Sequence, residues 1–124
     1  MSGRVVHFEI PYDDRERAHT FYAEAFGWTL APVPEMRYLL ATTGPSEEGP
    51  PSEPGFINGG LLERGLPLGG PVIVLDVEDI DASLQQVEQL GGTTVSGKQP
   101  VGDLGFSAYF KDPEGNLLGL WQGA

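Results

Sequence analysis

Over residues 4–10 apolar and polar positions alternate. Val6, Phe8 and Ile10 fall on one face, and Val5, His7 and Glu9 on the other, the pattern of a strand covered on one side. Pro11-Tyr12-Asp13-Asp14 then reads as a turn. Asp13 followed by Glu16 is an acidic variant of the capping box and predicts a helix start. The helix runs to about Phe26, with Ala18, Phe21, Tyr22 and Ala25 inward at i, i+3, i+4 and i+7, and Gly27 supplies a left-handed stop. Residues 28–31 and 36–43 read as two further strands. Residues 44–55, rich in Pro, Gly and Glu, read as an exposed loop. Residues 56–62 give a fourth strand, weakened by Gly59-Gly60, and 63–71 a linker.

The order then repeats. Residues 71–77 form a strand with Ile73, Leu75 and Val77 facing a helix over 79–90, which carries Ile80, Leu84, Val87 and Leu90 and closes at Gly91-Gly92. Three strands follow at 93–96, 106–110 and 117–121, the last two joined by the turn Asp112-Pro113-Glu114-Gly115-Asn116. An offset of 65 superposes Asp14 on Asp79 and Gly27 on Gly92, and places Val72 at the position of His7. The last strands superpose at 59, placing Gly119 at the position of Gly60. Two helices, each preceded by one strand and followed by three, are a specific repeat. The expectation is an α+β fold of two tandem βαβββ modules, about 4–62 and 72–122, in a single domain spanning 1–124. A helix covers one face of each sheet, so the other faces should line a concave cleft. His7, Glu9, Val72, Val74 and Asp76 belong to those faces by alternation.

Composition narrows the function more by exclusion than by assertion. The 124 residues suffice for one packed core. No apolar run approaches 18 residues, so no membrane span is expected. The start of the chain is too short and too acidic for a secretory signal, and a cytoplasmic location is expected. Without cysteine there is no disulfide framework and no thiolate site. The 18 acidic against 7 basic residues give a net charge of −11, which argues against nucleic acid as a partner. That charge suits a cationic ligand, although solubility alone accounts for it. No nucleophile elbow, P-loop or dinucleotide fingerprint is present, and the Gly-Gly pairs are turn and bulge glycines.

Four stretches, VVHFEIPYDDRERAHTFYAEAFGW (5–28), PGFINGGLLER (54–64), VIVLDVEDIDASLQQVEQLGG (72–92) and YFKDPEGNLLGLWQ (109–122), resemble the vicinal-oxygen-chelate superfamily. That superfamily includes glyoxalase I, extradiol dioxygenases and the fosfomycin- and bleomycin-resistance proteins. The chain is most similar to the uncharacterised subgroup related to lactoylglutathione lyase. The resemblance implies a divalent metal held by four side chains, one from the first and one from the last strand of each module. Of those positions His7 keeps a ligand, while Val72, Gly60 and Gly119 cannot donate. Divalent ions need about three or four protein donors, so no metal cofactor is expected. A displaced site using Glu9 and Asp76 is the alternative. His19 sits on the helix flank and does not restore the count.

His7 is the first candidate, either as a pocket base or ligand group, or as a strand histidine satisfied by a carboxylate or carbonyl. Glu9 is its candidate catalytic partner. Asn58 between Ile57 and Gly59 could offer an amide to a ligand, or simply suit a bulge. Trp28, Tyr38, Phe106, Tyr109 and Trp121 could furnish an aromatic cleft, though strand aromatics more often build core. Of these, Tyr38, Tyr109 and Trp121 are carried forward as ligand-binding candidates. The acidic run over 76–81 crosses a helix start, where carboxylates meet the dipole.

These residues favour a protein that binds a small molecule in the cleft without the usual metal. The alternatives are a lyase or isomerase of the lactoylglutathione lyase kind using a displaced site, and an acidic drug-sequestering protein. An enzyme of that kind needs an electrophile for its oxyanion, usually the metal. The superfamily's habit of pairing or swapping modules implies a homodimer, which would also shelter open sheet edges.

Overall fold

The computed structural model describes residues 3–33, 36–47, 50–65 and 67–124. Parts of the expected 44–55 loop (48–49) and 63–71 linker (66) therefore lie outside the described residues. The elements run β1 (Val5–Tyr12), α1 (Arg15–Phe26), β2 (Thr29–Pro32), β3 (Tyr38–Thr42) and β4 (Gly59–Glu63). They continue as β5 (Val72–Asp76), α2 (Ile80–Gln89), β6 (Thr93–Val101), β7 (Gly105–Lys111) and β8 (Leu117–Gly123). This is βαβββ twice, an α+β chain. It divides into two compact units, His7–Pro71 and Val72–Ala124, the latter joined by the chain through Val6. Arg4 belongs with the second unit because its carbonyl accepts from the Asp76 N–H at 2.9 Å.

In the first unit the strands lie in the order β2-β3-β4-β1. β2 and β4 pair antiparallel to β3, and β1 pairs parallel to β4. Alternation sends Tyr12, Leu30, Leu39, Ala41 and Leu61 into one core, against which Phe8, Ile10, Ala18, Tyr22 and Trp28 pack. Strand β1 runs on through Pro11 and Tyr12, where a turn was expected, because the Tyr12 ring is taken into that core. The cap of α1 is Asp14, whose side chain accepts from the Arg17 N–H at 3.0 Å. Asp13, expected in that role, instead accepts from Arg64 Nε at 2.9 Å. Gly27 at φ +74° ends the helix as expected, its N–H reaching the Ala23 carbonyl at 3.0 Å. Phe21 and Ala25 are exposed rather than inward. The sheet takes the narrower Ala18–Tyr22 face, and Phe21 closes on the Tyr22 and Phe26 rings, 5.1 and 6.0 Å away.

The second unit repeats the scheme in the order β5-β8-β7-β6, with β5 parallel to β8 and the other pairs antiparallel. Ile80, Leu84, Ala108, Phe110 and Leu120 form its core, with Leu75, Val77, Val87, Phe106 and Leu118 around them. Ile73, expected to face α2, is 46% exposed, since it lies near the start of β5 and only Leu75 and Val77 reach that core. Asp79 caps α2 through the Ala82 N–H, and Gln122 Oε1 accepts from the Ile80 N–H at 2.9 Å. Strand β6 continues past Ser96 through two register shifts, and Lys98 Nζ stands 4.4 Å over the Phe106 ring, securing the extension. In the linker, Leu68 is buried.

Candidate functional site

Because Phe8, Ile10, Leu39, Ala41 and Leu61 face the α1 side, His7, Glu9, Tyr38, Leu40 and Gly60 share the opposite face of the first sheet. The register places Glu9 beside Gly60 on β4, and Gly60 beside Leu40 on β3. Tyr38, paired with Leu62, is the diagonal neighbour of Gly60, within reach of a long ring. The phenol uses that reach. A Cβ on Gly60 would coincide with the Tyr38 ring and hydroxyl, so this glycine is what admits the tyrosine.

The Tyr38 hydroxyl donates to Glu9 Oε2 at 2.9 Å. Its single proton being committed there, its oxygen accepts from His7 Nε2 at 2.6 Å, which fixes the neutral imidazole with its proton on Nε2. The His7 and Tyr38 rings lie nearly parallel, 14° apart. Glu9, 7% exposed, is the one buried charged side chain among the described residues, and a charge so placed requires hydrogen-bond donors. Burial pushes the His7 pKa below its ordinary value, and the Glu9 carboxylate opposes this only in part. The result is a chain, imidazole N–H to phenol to carboxylate, able to hold or pass a proton and leaving the Nδ1 lone pair as a base.

Asn58 is engaged elsewhere. Its Oδ1 accepts from the Thr43 N–H and its Nδ2 donates to Ser46 Oγ, both at 2.8 Å. Thr43 Oγ1 in turn donates to the Ile57 carbonyl at 2.8 Å. Asn58 thus fastens the two ends of the β3–β4 connection. Tyr109 and Trp121 belong to the second unit. There they share the face away from α2 with Val74 and Asp76. Tyr109 stands opposite Gly119 in the β7–β8 ladder, and Trp121 opposite Ser107 and beside Asp76. A Cβ on Gly119 would meet Val74 Cγ2 at 3.1 Å and Tyr109 Cε1 at 3.4 Å. Each unit therefore packs a tyrosine against the glycine of its last strand. Sequence reasoning named both tyrosines and both glycines but did not pair them.

The donor set does not suit the metal that the resemblance implies. Of its four positions, Gly60 is covered by Tyr38, Gly119 by Val74 and Tyr109, and Val72 is a buried aliphatic side chain. Among the described residues no three His, Cys, Asp or Glu side chains converge as a metal-holding group.

The βαβββ repeat is the architecture of the glyoxalase-type domains. Residues 4–44 match the family described as bleomycin resistance protein-like N-terminal. A glyoxylase-like domain-containing protein of Didymella fabae is 30% identical over 122 residues, covering 94% of this chain and 91% of that protein. The chain belongs to the glyoxalase/bleomycin resistance/dioxygenase superfamily. CFP32 of Mycobacterium tuberculosis, named as a candidate glyoxylase, is 31% identical over 121 residues. The match covers 92% of this chain but only 43% of that protein, so the chain spans less than half its length. Among solved structures, a hypothetical protein of Bacillus halodurans superposes with a TM-score of 0.68 at 17% identity, covering 100% and 96% of the two chains. Methylmalonyl-CoA epimerase of Mycobacterium tuberculosis gives 0.66 at 17% identity, covering 96% and 87%. At these identities the structural likeness bears on the fold alone.

Proposed function

We propose that this chain binds a small molecule on the sheet face carrying His7, Tyr38 and Glu9, and does so without a divalent metal. The observation that supports this reading is the Tyr38 hydroxyl, held between His7 Nε2 and Glu9 Oε2 over Gly60. Three polar groups linked across two strands on a face free of its helix are a preorganised recognition surface. A buried carboxylate beside aromatic rings suits a ligand that is cationic, aromatic or both. The acidic, drug-sequestering branch of the family has this chemistry.

The hydrogen-bond chain favours one second reading, a lyase or isomerase. A proton leaving a carbon beside a ligand carbonyl would pass to His7 Nδ1, while the Nε2 proton moves to Tyr38 and the Tyr38 proton to Glu9. The experiment is calorimetry of the chelator-treated protein against a panel of planar cations, with and without added Zn²⁺, Ni²⁺ or Mn²⁺, for wild type, Tyr38→Phe and Gly60→Ala. Binding without metal, weakened about tenfold by either substitution, is the expected result. Binding that needs stoichiometric metal would overturn the metal-free reading. A ligand turned over by wild type, and bound but not turned over by Tyr38→Phe, would move the assignment to the enzyme.

A further inference from the structure

The chain has two tryptophans, and it uses them differently. Trp28 stacks on Tyr22 at 4.8 Å and packs against the first core. Trp121, on β8, faces away from α2, is half-buried, and makes no ring contact among the described residues. Its indole lies down on the sheet. A Cβ at Gly105 of β7 would stand 2.8 Å from Trp121 Cζ2 and 3.0 Å from Cη2, so the missing side chain leaves a recess for the ring. One face of the indole is thus against backbone, and what remains accessible is the other face, a flat apolar platform.

Polar groups line up on either side of it. The ladder registers place Asp76 beside Trp121 on β5, Ser107 opposite it on β7, and Gln99 opposite Ser107 on β6. Asp76, Trp121, Ser107 and Gln99 therefore form one row across four strands, about 14 Å from end to end at roughly 4.8 Å per strand. Among the described residues neither a hydrogen bond nor an ion pair engages the Asp76 carboxylate, the indole Nε1–H, the Ser107 hydroxyl or the Gln99 amide, and the first three are open to water. In the first unit, by contrast, Glu9, Tyr38 and Asn58 are all engaged. Half-buried polar groups left without protein partners are satisfied by water, or by a ligand that replaces it.

We propose that the Trp121 face of the second unit binds a saccharide, with one ring laid on the indole and its hydroxyls bonded to Asp76, Ser107 and Gln99. The C–H groups of a pyranose face carry partial positive charge and meet the negative face of the indole. The row supplies one anionic acceptor and two groups that both donate and accept, the mixture that hydroxyls require. A simple cation would use Trp121 and Asp76 and leave Ser107 and Gln99 idle. Asp76 and Ser107 are short side chains standing on the same sheet as the recumbent indole. They meet the projecting hydroxyls of a puckered ring, whereas the edge of a planar ring stacked on the indole lies above them. The row is longer than one pyranose, so a disaccharide fills it. All four residues belong to the second unit, and the inference does not depend on the reading of the His7–Tyr38–Glu9 face.

Nuclear magnetic resonance of the full chain, with the indole N–H signals of Trp28 and Trp121 as reporters, tests this against cellobiose, lactose and maltose at up to about 50 mM. At least one disaccharide should shift the Trp121 signal and saturate with a dissociation constant on the order of 1 mM, while the Trp28 signal stays in place. Asp76→Asn and Ser107→Ala should each weaken that disaccharide about tenfold, and Trp121→Ala should abolish binding. If Trp121→Ala fails to fold, Asp76→Asn, a change of nearly equal shape at a carboxylate with no protein partner, decides the matter. No shift with any of the three sugars, or a shift unaltered by Asp76→Asn, would overturn the proposal. So would benzamidine moving the Trp121 signal at lower concentration than every disaccharide, since the face would then be a site for flat cations.

Discussion

At His7 two influences compete, and burial wins. The imidazolium is desolvated on the sheet face, while Glu9 supplies a carboxylate that would stabilise it, and the net result is a pKa below the ordinary value. The folded state therefore binds this proton less readily than the unfolded chain does. Between the ordinary histidine value and the depressed folded one, acidification favours unfolding, so stability contributed here is present above the unfolded pKa and lost as pH falls toward the folded one. Urea unfolding measured at intervals from pH 8 to pH 5 should show stability declining below about pH 6.5. His7→Gln should flatten that part of the curve. An unaltered slope in the variant would mean that His7 is not the desolvated group. The same titration matters to the site, since protonating His7 converts Nδ1 from acceptor to donor and removes its capacity as a base.

At the scale of elements, the β3–β4 connection is closed by Asn58 at its β4 end, whose amide serves both Thr43 and Ser46 at the β3 end. Asn58→Ala takes a partner from a part-buried Thr43 N–H, a loss of about 1–3 kcal/mol. Urea unfolding should register it, together with faster amide exchange at Thr43, while ligand affinity at His7 stays unchanged. Lost affinity with unchanged stability would instead make Asn58 the ligand group that the sequence suggested. That ambiguity marks the boundary of what the sequence could say. Elements set by local periodicity were legible: the strand alternation at Phe8 and Ile10, the Gly27 stop and the Asp79 start all follow from near neighbours. The choice of Asp14 over Asp13 as cap was not, because Arg64, 51 positions away, claims Asp13. The union of Tyr38 with Gly60 was equally hidden. It depends on the β3–β4 register, and a slip of one residue would have turned the phenol to the other face. A useful signal existed nonetheless, namely two strand glycines at the ends of the two modules with a tyrosine on the preceding strand of each.

Across the whole molecule, charge is the property least balanced by structure. Against a net charge of −11, the described ion pairs are Arg37–Glu63, Arg64–Asp13 and Lys98–Asp81, with separations of 3.3, 2.9 and 4.0 Å. All involve solvent-accessible groups, and pairs of that kind contribute at most about 1 kcal/mol each. Salt therefore weakens little attraction and relieves much repulsion. Raising ionic strength from about 0.01 M to 0.15 M shortens the screening length from roughly 30 to 8 Å, and the melting temperature should rise over that range. A cationic ligand drawn by the acidic surface should respond in the opposite sense, associating more slowly as the same field is screened. Measured together on one preparation, the two responses separate the roles of the charge. Rising stability with falling association rate assigns it to both self-repulsion and steering. Rising stability with an association rate indifferent to salt leaves the acidity as a solubility feature, and the ligand would then be recognised by the His7–Tyr38–Glu9 face through contact alone.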